Sequence, residues 1–152
     1  MTFSLWVPTL PQTKGSTRTF ADKRTGRFHT TSDNPKLKNF ERAVHYAALE
    51  AGARPQEGAF EVEVTAYLPR PKSHFWHYLH RPPVLKDDAP KYPIAKKRKD
   101  GDKILRATLD ALVGAVVVDD SQFVDSTIRK RYSGMGGPDL GVGVEIDVRD
   151  MP

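Results

Sequence analysis

The sequence predicts an α+β protein in which two principal helices pack on a mixed β-sheet. Residues 60–68 and 142–148 alternate apolar with polar side chains, as strands with one buried face do. Residues 37–48 and 102–113 instead carry apolar side chains at helical spacing. Strands and helices are interspersed along the 152 residues, so we expect one mixed sheet and a single domain over residues 1–152.

The N-terminal part predicts a strand, a loop and a helix. Residues 3–7 alternate in polarity and are followed by prolines, which predicts a first strand. A polar, basic loop then extends to about Ser32. Asp33 or Asn34 can cap the first helix, and Gly52 supplies its stop.

The C-terminal half begins with a long connection. Residues 69–99 are rich in proline and show no sustained period, which is typical of a functional or mobile loop. The second helix is predicted from Asp102 to Val113. After it, residues 115–118 and 124–132 indicate a β-hairpin with an acidic pair at its tip.

Composition favours a polyanionic partner such as nucleic acid. The formal net charge is +5, and most basic residues of the N-terminal quarter lie in the predicted loop. No apolar run approaches the roughly 20 residues that span a bilayer, and the N-terminus lacks a basic leader. The absence of cysteine excludes disulfides and thiolate zinc sites. We therefore expect a soluble protein of the cytoplasm with no membrane contact.

Two acidic pairs could carry chemistry. Asp100 and Asp102 flank the start of the second helix, and Asp119 and Asp120 sit at the predicted hairpin tip. Each pair has a structural explanation, because Asp is favoured at helix N-caps and in turns. If the hairpin returned to the helix N-terminus, however, all four carboxylates could hold a pair of Mg²⁺ ions beside a phosphodiester.

Basic residues surround these acids. Arg106 could grip the scissile phosphate with its planar guanidinium, or could instead pair with Asp102 and Asp110. The run before Asp100 and the N-terminal loop are either solvated charge or phosphate contacts. The residues predicted to bind DNA are Lys14, Arg18, Arg24, Arg27, Lys97, Arg98, Lys99 and Lys103.

Three histidines, His74, His77 and His80, recur every third residue within the proline-rich segment. Histidines at such spacing can bind zinc, but this segment offers no helical frame to orient them. The neighbouring aromatic residues fit anchoring of the loop or stacking on splayed bases better. The sequence contains no nucleotide-binding fingerprint.

Residues 96–132 resemble the core of the RusA family of Holliday junction resolvases, and the N-terminal half resembles its phage-encoded members. The family pattern is Asp-x-Asp, a helix with a basic residue and Asp-Ala-Leu, a short strand and then Asp-Asp-x-Gln, and each piece is present in order. The resemblance implies a homodimeric nuclease that uses magnesium, or manganese, to nick opposed strands of a four-way DNA junction. It implies metal ligation by Asp100, Asp102 and Asp120 with Asp119 adjacent, and a basic catalytic role for Arg106.

Two other functions stay open from the residues alone. One is a basic DNA-binding or recombination-accessory protein without catalysis, in which the acids are only caps and turns. The other is a nuclease that acts on flaps or forks. In the resolvase pattern, Arg106 and Lys103 stand where the best-known form has Lys and Asn.

Overall fold

The computed structural model describes residues 2–15, 17–32, 34–94, 100–134 and 141–152, with backbone alone for residues 17, 18, 31 and 32. The strands and helices are, in chain order, β1 (Thr2–Val7), β2 (Thr17–Ala21), β3 (Phe28–Ser32), α1 (Leu37–Glu50), β4 (Ala59–Leu68), β5 (Phe75–Trp76), β6 (Val84–Leu85), α2 (Gly101–Leu112), β7 (Phe123–Tyr132) and β8 (Gly143–Met151). Within these residues no helix is long and apolar enough to cross a lipid bilayer.

The main sheet has four strands in the order β1-β8-β4-β7. β8 lies antiparallel to both of its neighbours, whereas β4 and β7 run parallel, with Phe60 opposite Phe123 and Leu68 opposite Tyr132. The α+β prediction, a mixed sheet with two helices, is therefore confirmed. The strands predicted over residues 3–7, 60–68 and 142–148 are confirmed as β1, β4 and β8.

Both helices contribute to a core on one face of the sheet. α1 buries Leu37, Phe40, Val44 and Ala48, the positions that its helical spacing predicts. α2 likewise buries an apolar stripe, and the two helices pack against each other. The opposite face carries the polar positions of β4, β7 and β8, where Glu63 of β4 pairs with Arg129 of β7 at 2.6 Å. Alternation along each strand thus separates a dry face from a charged one.

α2 runs antiparallel to the two parallel strands. At its start, a Cβ on Gly101 would lie 3.5 Å from the Ile128 side chain, in the second half of β7. At its end, the Leu112 carbonyl accepts from the amide of Val116, and the Val116 carbonyl accepts from Gln56, just before β4. The helix therefore runs from the second half of β7 back to the residues just before β4.

The strand predicted over residues 124–132 is confirmed as β7, but the β-hairpin that it was predicted to form with residues 115–118 is wrong. Residues 115–117 are buried, as a core strand would be, but their amides turn back onto the Leu112 carbonyl. Gly114, with a φ of 79°, allows this tight reversal after the helix. β7 then pairs with β4 in parallel, not with its predicted hairpin partner. A short apolar run has no period that distinguishes a strand from a buried turn.

Two predicted loops contain structure. The N-terminal loop includes the antiparallel β2–β3 hairpin, whose turn is held by Asp22 accepting from the Arg24 amide at 2.8 Å. The proline-rich segment includes the small β5–β6 hairpin. α1 begins at Leu37 because Asn34 forms a turn, in which its side chain accepts from the Lys36 amide, and does not cap the helix. Asp33, the other predicted cap, lies outside the described residues.

The close contact between β1 and β8 yields a stability prediction. A Cβ on Gly143 would meet Trp6 ring carbons at 2.5 Å and the Val7 carbonyl oxygen at 2.6 Å. We expect Gly143→Ala to lower the free energy of unfolding by about 1–3 kcal/mol because the backbone on one side cannot give way. Urea unfolding measures this effect. Gly101→Ala is the control, since its Cβ would meet only ordinary contacts from 3.5 Å outward, and an equal loss in both variants would contradict the prediction.

Candidate active site

Two carboxylates mark the start of α2. Asp100 occupies the N-cap position with an extended backbone, but its side chain makes no capping hydrogen bond. Its carboxylate instead lies 3.2 Å from the Lys103 Nζ. Asp102 follows in the first turn and is exposed. The positive end of the helix dipole favours both charges, and their oxygens are accessible from solvent. Helix capping therefore does not account for the Asp100 carboxylate.

The second acidic pair lies in a short 3-10 turn, Asp120–Gln122, which leads into β7. Asp119 caps this turn, and its Oδ1 accepts from the Ser121 amide at 3.0 Å. Hydrogen bonds from the side chain and backbone of Ser121 hold the pKa of the Asp119 carboxyl below its usual value. Asp120 is exposed beside it. The turn-forming role foreseen for this pair thus applies to Asp119.

Gln122 fixes this turn to the rest of the fold. Its Oε1 accepts from the amides of Val118 at 2.8 Å and Asp119 at 3.0 Å. Its Nε2 donates to the carbonyls of Gln56 at 3.0 Å and Gly58 at 3.1 Å, just before β4. Sequence reasoning assigned no role to Gln122. The available signal was its fixed place after the acidic pair in the Asp-Asp-x-Gln pattern.

The two acidic pairs lie at opposite ends of α2 within one chain. Asp120 precedes Phe123 at the beginning of β7, while Gly101 lies beside Ile128 further along that strand. A strand rises about 3.3 Å per residue, so these two ends are separated by roughly 16 Å. Among the described ranges, no group of three or more His, Asp or Glu residues could hold a metal ion. The predicted hairpin would have brought the two acidic pairs together. Because it does not form, the two pairs stay apart within one chain.

Lys14 connects the N-terminal segment to α2. Its backbone amide donates to the Lys103 carbonyl at 3.1 Å, and its ammonium pairs with Asp110 in the last helical turn. A cation there offsets the unfavourable position of an acid at the C-terminal end of the helix dipole. Burial, followed by the Asp110 charge, raises the pKa of the neighbouring Glu41 carboxyl. Lys14 thus has a structural partner, with which any DNA phosphate would have to compete.

Arg106 is exposed one helical turn after Asp102. It makes no ion pair with any residue that the structure describes; the acid it was expected to share, Asp110, is taken by Lys14. The guanidinium and the Asp102 carboxylate therefore lie on the same exposed face of the helix. This arrangement leaves Arg106 available to an anionic ligand.

The other predicted DNA contacts lie in different places. Arg24 and Arg27 are exposed at the β2–β3 turn, and Arg18 belongs to β2, where only its backbone is described. Lys103 is half exposed and paired with Asp100. Lys97, Arg98 and Lys99 fall outside the described residues, immediately before Asp100.

The three histidines have separate surroundings. The His74 ring packs edge-on against Tyr132 at 5.6 Å, and the His77 Nε2 lies 3.0 Å from the Lys72 carbonyl. His80 is exposed and adopts a positive φ of 63°. His74 therefore helps to anchor its segment on β7, in keeping with the anchoring role considered for this loop.

Comparison with known proteins places these features in context. The family model for endodeoxyribonuclease RusA matches residues 9–147 of the chain. The matched range includes both acidic pairs, all of α2 and the Gln122 turn. No curated protein matches the chain significantly.

The Gln122 contacts predict a specific loss of stability. Gln122→Met should lower the free energy of unfolding by about 1–2 kcal/mol, because two amides and two carbonyls lose their partner. Gln122→Glu keeps the accepting oxygen but turns its other carboxylate oxygen, which cannot donate, toward the Gln56 and Gly58 carbonyls, so we expect a loss at least as large as in the Met variant. Urea unfolding gives the three values. A Met variant as stable as the wild type would show that the Gln122 side-chain hydrogen bonds contribute nothing to the stability of the fold.

Proposed function

The chain belongs to the RusA endodeoxyribonuclease family, whose members act on branched DNA, and we propose that it is a magnesium-dependent Holliday junction resolvase. In this proposal residues 1–152 form one endonuclease domain that works as a homodimer and makes paired, symmetric nicks in opposed strands. Its setting would be DNA recombination and repair, with a phage-encoded protein acting in the cytoplasm of a bacterial host.

One observation carries the proposal: Asp100 and Asp102 stand at the start of a helix in a basic chain, and the Asp100 carboxylate makes no capping hydrogen bond. Surface carboxylates repel DNA, so they are costly near a phosphate unless a cation lies between them. Lys103 and Arg106 lie on the same helix within one turn of these acids. A purely DNA-binding surface would gain from neutral or basic residues in their place.

The donor set suits magnesium, which prefers carboxylate oxygens and retains several waters. Asp100, Asp102 and Asp120 would hold the ion, with Asp119 adjacent. When bound, the metal would polarise the phosphodiester and activate a water for attack. Arg106 would grip the phosphate oxygens with two donors, and Lys103, already beside Asp100, would add positive charge at the same place.

The separation of the acidic pairs supports a site shared by two subunits. One chain brings Asp100 and Asp102 to one end of β7 and holds Asp119 and Asp120 at the other. A twofold dimer could place the Asp120 turn of each subunit against the α2 start of its partner. Twofold symmetry then creates two equal sites, as paired nicks on opposed strands require.

DNA contacts outside the catalytic centre would come from the β2–β3 hairpin. Arg24 and Arg27 are exposed at its turn, with Lys23 beside them. A two-stranded ribbon that ends in cations can lie along a phosphate backbone or enter a major groove. We propose that this hairpin, with Arg18 and the basic run before Asp100, binds the duplex arms of the junction.

Cleavage of a synthetic four-way junction tests the proposal. With Mg²⁺ we expect symmetric nicks in opposed strands, and EDTA should abolish them. Asp102→Asn should slow single-turnover cleavage by at least roughly 100-fold, because a metal ligand is lost. Junction binding should persist, because the change removes a negative charge that repels DNA. Asp147→Asn, on the charged face of the sheet, is the matched control and should cleave normally.

Each other outcome identifies a different function. Tight junction binding without magnesium-dependent nicks in the wild type would replace the nuclease with a DNA-binding accessory protein. Preferential cleavage of flaps or forks would instead identify a nuclease for other branched DNA.

A mixed dimer tests whether the site is shared. Asp102→Asn and Asp120→Asn should each inactivate a homodimer. If each site combines acids from two subunits, a mixed dimer of the two variants contains one intact site and one doubly damaged site. Co-refolding the two variants should therefore restore nicking of one strand, measured on end-labelled junctions. Complete inactivity of isolated mixed dimers would place each site within one subunit.

A further inference from the structure

An aromatic arm, residues 70–94, projects from the end of β4 and has no role in the function proposed above. It contains a short 3-10 turn, Lys72–His74, and the β5–β6 hairpin. Its contribution to the buried core is small, since nearly all of its side chains are exposed or half-buried. A segment of about 25 residues that adds little to the core does not serve folding alone, and long loops of this kind are commonly functional.

The arm is held in place on the end of β7. The Arg70 guanidinium lies over the Tyr132 ring at 4.3 Å and donates to the Pro90 carbonyl at 2.8 Å. The Lys86 amide donates to the His74 carbonyl at 2.9 Å, which closes the hairpin. Arg131 of β7 lies 5.3 Å from the Tyr92 ring. These contacts order the arm without burying its outer surface.

That outer surface is aromatic. Trp76 is 54% exposed, Tyr78 50% and Tyr92 46%. The same segment also exposes Leu79, Val84, Leu85 and Ile94, and such a concentration of exposed large apolar side chains commonly marks a binding site. Aromatic rings with an open face accept nucleic acid bases by stacking, whatever the base sequence.

The charge of the arm favours DNA over a second copy of the arm. Residues 70–94 contain five Lys or Arg residues against two Asp residues. The Lys86 Nζ lies 4.5 Å over the Trp76 ring, so a cation already accompanies the most exposed indole. Two such arms would repel each other, whereas the phosphates of a nucleic acid strand would neutralise them.

The arm also lies near the proposed catalytic acids. It docks on Tyr132, and the start of α2 lies beside Ile128 and Lys130 of the same strand. A strand rise of about 3.3 Å per residue puts these points within roughly 7 to 13 Å of each other. A strand bound to the arm would therefore pass close to Asp100 and Asp102.

We infer that the aromatic arm binds unpaired bases of single-stranded DNA beside the cleavage site, with Trp76 as a principal stacking platform. The enzyme would then favour branched substrates that carry unpaired nucleotides at the branch point. This preference rests on the proposed nuclease function, whereas the binding of single strands does not.

Binding is measured in EDTA, so that it does not depend on cleavage. In a Trp6→Phe background Trp76 is the sole indole, and oligo-dT should quench its fluorescence. In anisotropy titrations with labelled oligo-dT, Trp76→Ala should weaken binding roughly tenfold, and Trp76→Phe should retain most of it. Circular dichroism checks that each variant is folded. Because Trp76 is exposed, we expect its replacement to leave the fold intact.

Two controls separate stacking from other causes. Leu79→Ala removes an aliphatic side chain, 85% exposed, from the same arm, and Tyr46→Ala removes an exposed ring from α1. Both should bind oligo-dT as the parent does. Absence of quenching, or an equal loss in Leu79→Ala and Trp76→Ala, would overturn the inference. A changed oligomeric state in Trp76→Ala by sedimentation would also overturn it, in favour of a contact between subunits.

Cleavage then tests the substrate preference. A junction with a few unpaired thymidines at the branch point should be cut faster than a fully paired one, and Trp76→Ala should remove the difference. Equal rates for both junctions in the wild type would refute the preference. Failure of the nuclease proposal would differ, because neither junction would be cut while oligo-dT still bound.

Discussion

The packing of α2 along the parallel strands β4 and β7 determines the position of every group in the candidate site. The helix begins beside Ile128, in the second half of β7, and ends near Gln56, just before β4. Parallel pairing places the starts of β4 and β7 side by side, next to the C-terminal end of the helix. Gln122 then fixes the Asp119–Asp120 turn to the start of β4 through four hydrogen bonds. The helix thus separates the two acidic pairs by its own length.

Electrostatics distinguishes the residues of α2 from one another. Asp102 and Asp110 lie on one helix face, but among the described residues only Asp110 is paired with a cation from outside the helix, Lys14. Asp110 lies at the unfavourable end of the helix dipole, where an unpaired carboxylate is destabilising. Asp102 lies at the favourable end and needs no such partner. The Lys14–Asp110 pair thus supports the helix and leaves its acidic start to the proposed chemistry.

The errors of sequence interpretation have identifiable physical causes. Residues 115–118 are apolar and buried, but burial does not specify whether a short run is extended or turned. The β2–β3 hairpin was missed because its strands are polar and exposed, with no apolar alternation to signal them. Asn34 matched a helix cap in composition, yet its side chain stabilises a turn before the helix. The first and third cases depend on hydrogen bonds between residues two to five positions apart, which composition alone does not specify.

The sequence by itself determined the α+β class, both helices and the strands β1, β4 and β8, because the spacing of apolar residues shows which side chains of a helix or strand are buried. Its Asp-x-Asp and Asp-Asp-x-Gln motifs also identified the family to which the chain belongs. Only the tertiary structure decided that β7 pairs in parallel with β4, since pairing partners distant along the chain leave no local period. That pairing places the two acidic pairs at opposite ends of α2. It also brings the aromatic arm to the end of β7 at which Asp100 and Asp102 lie.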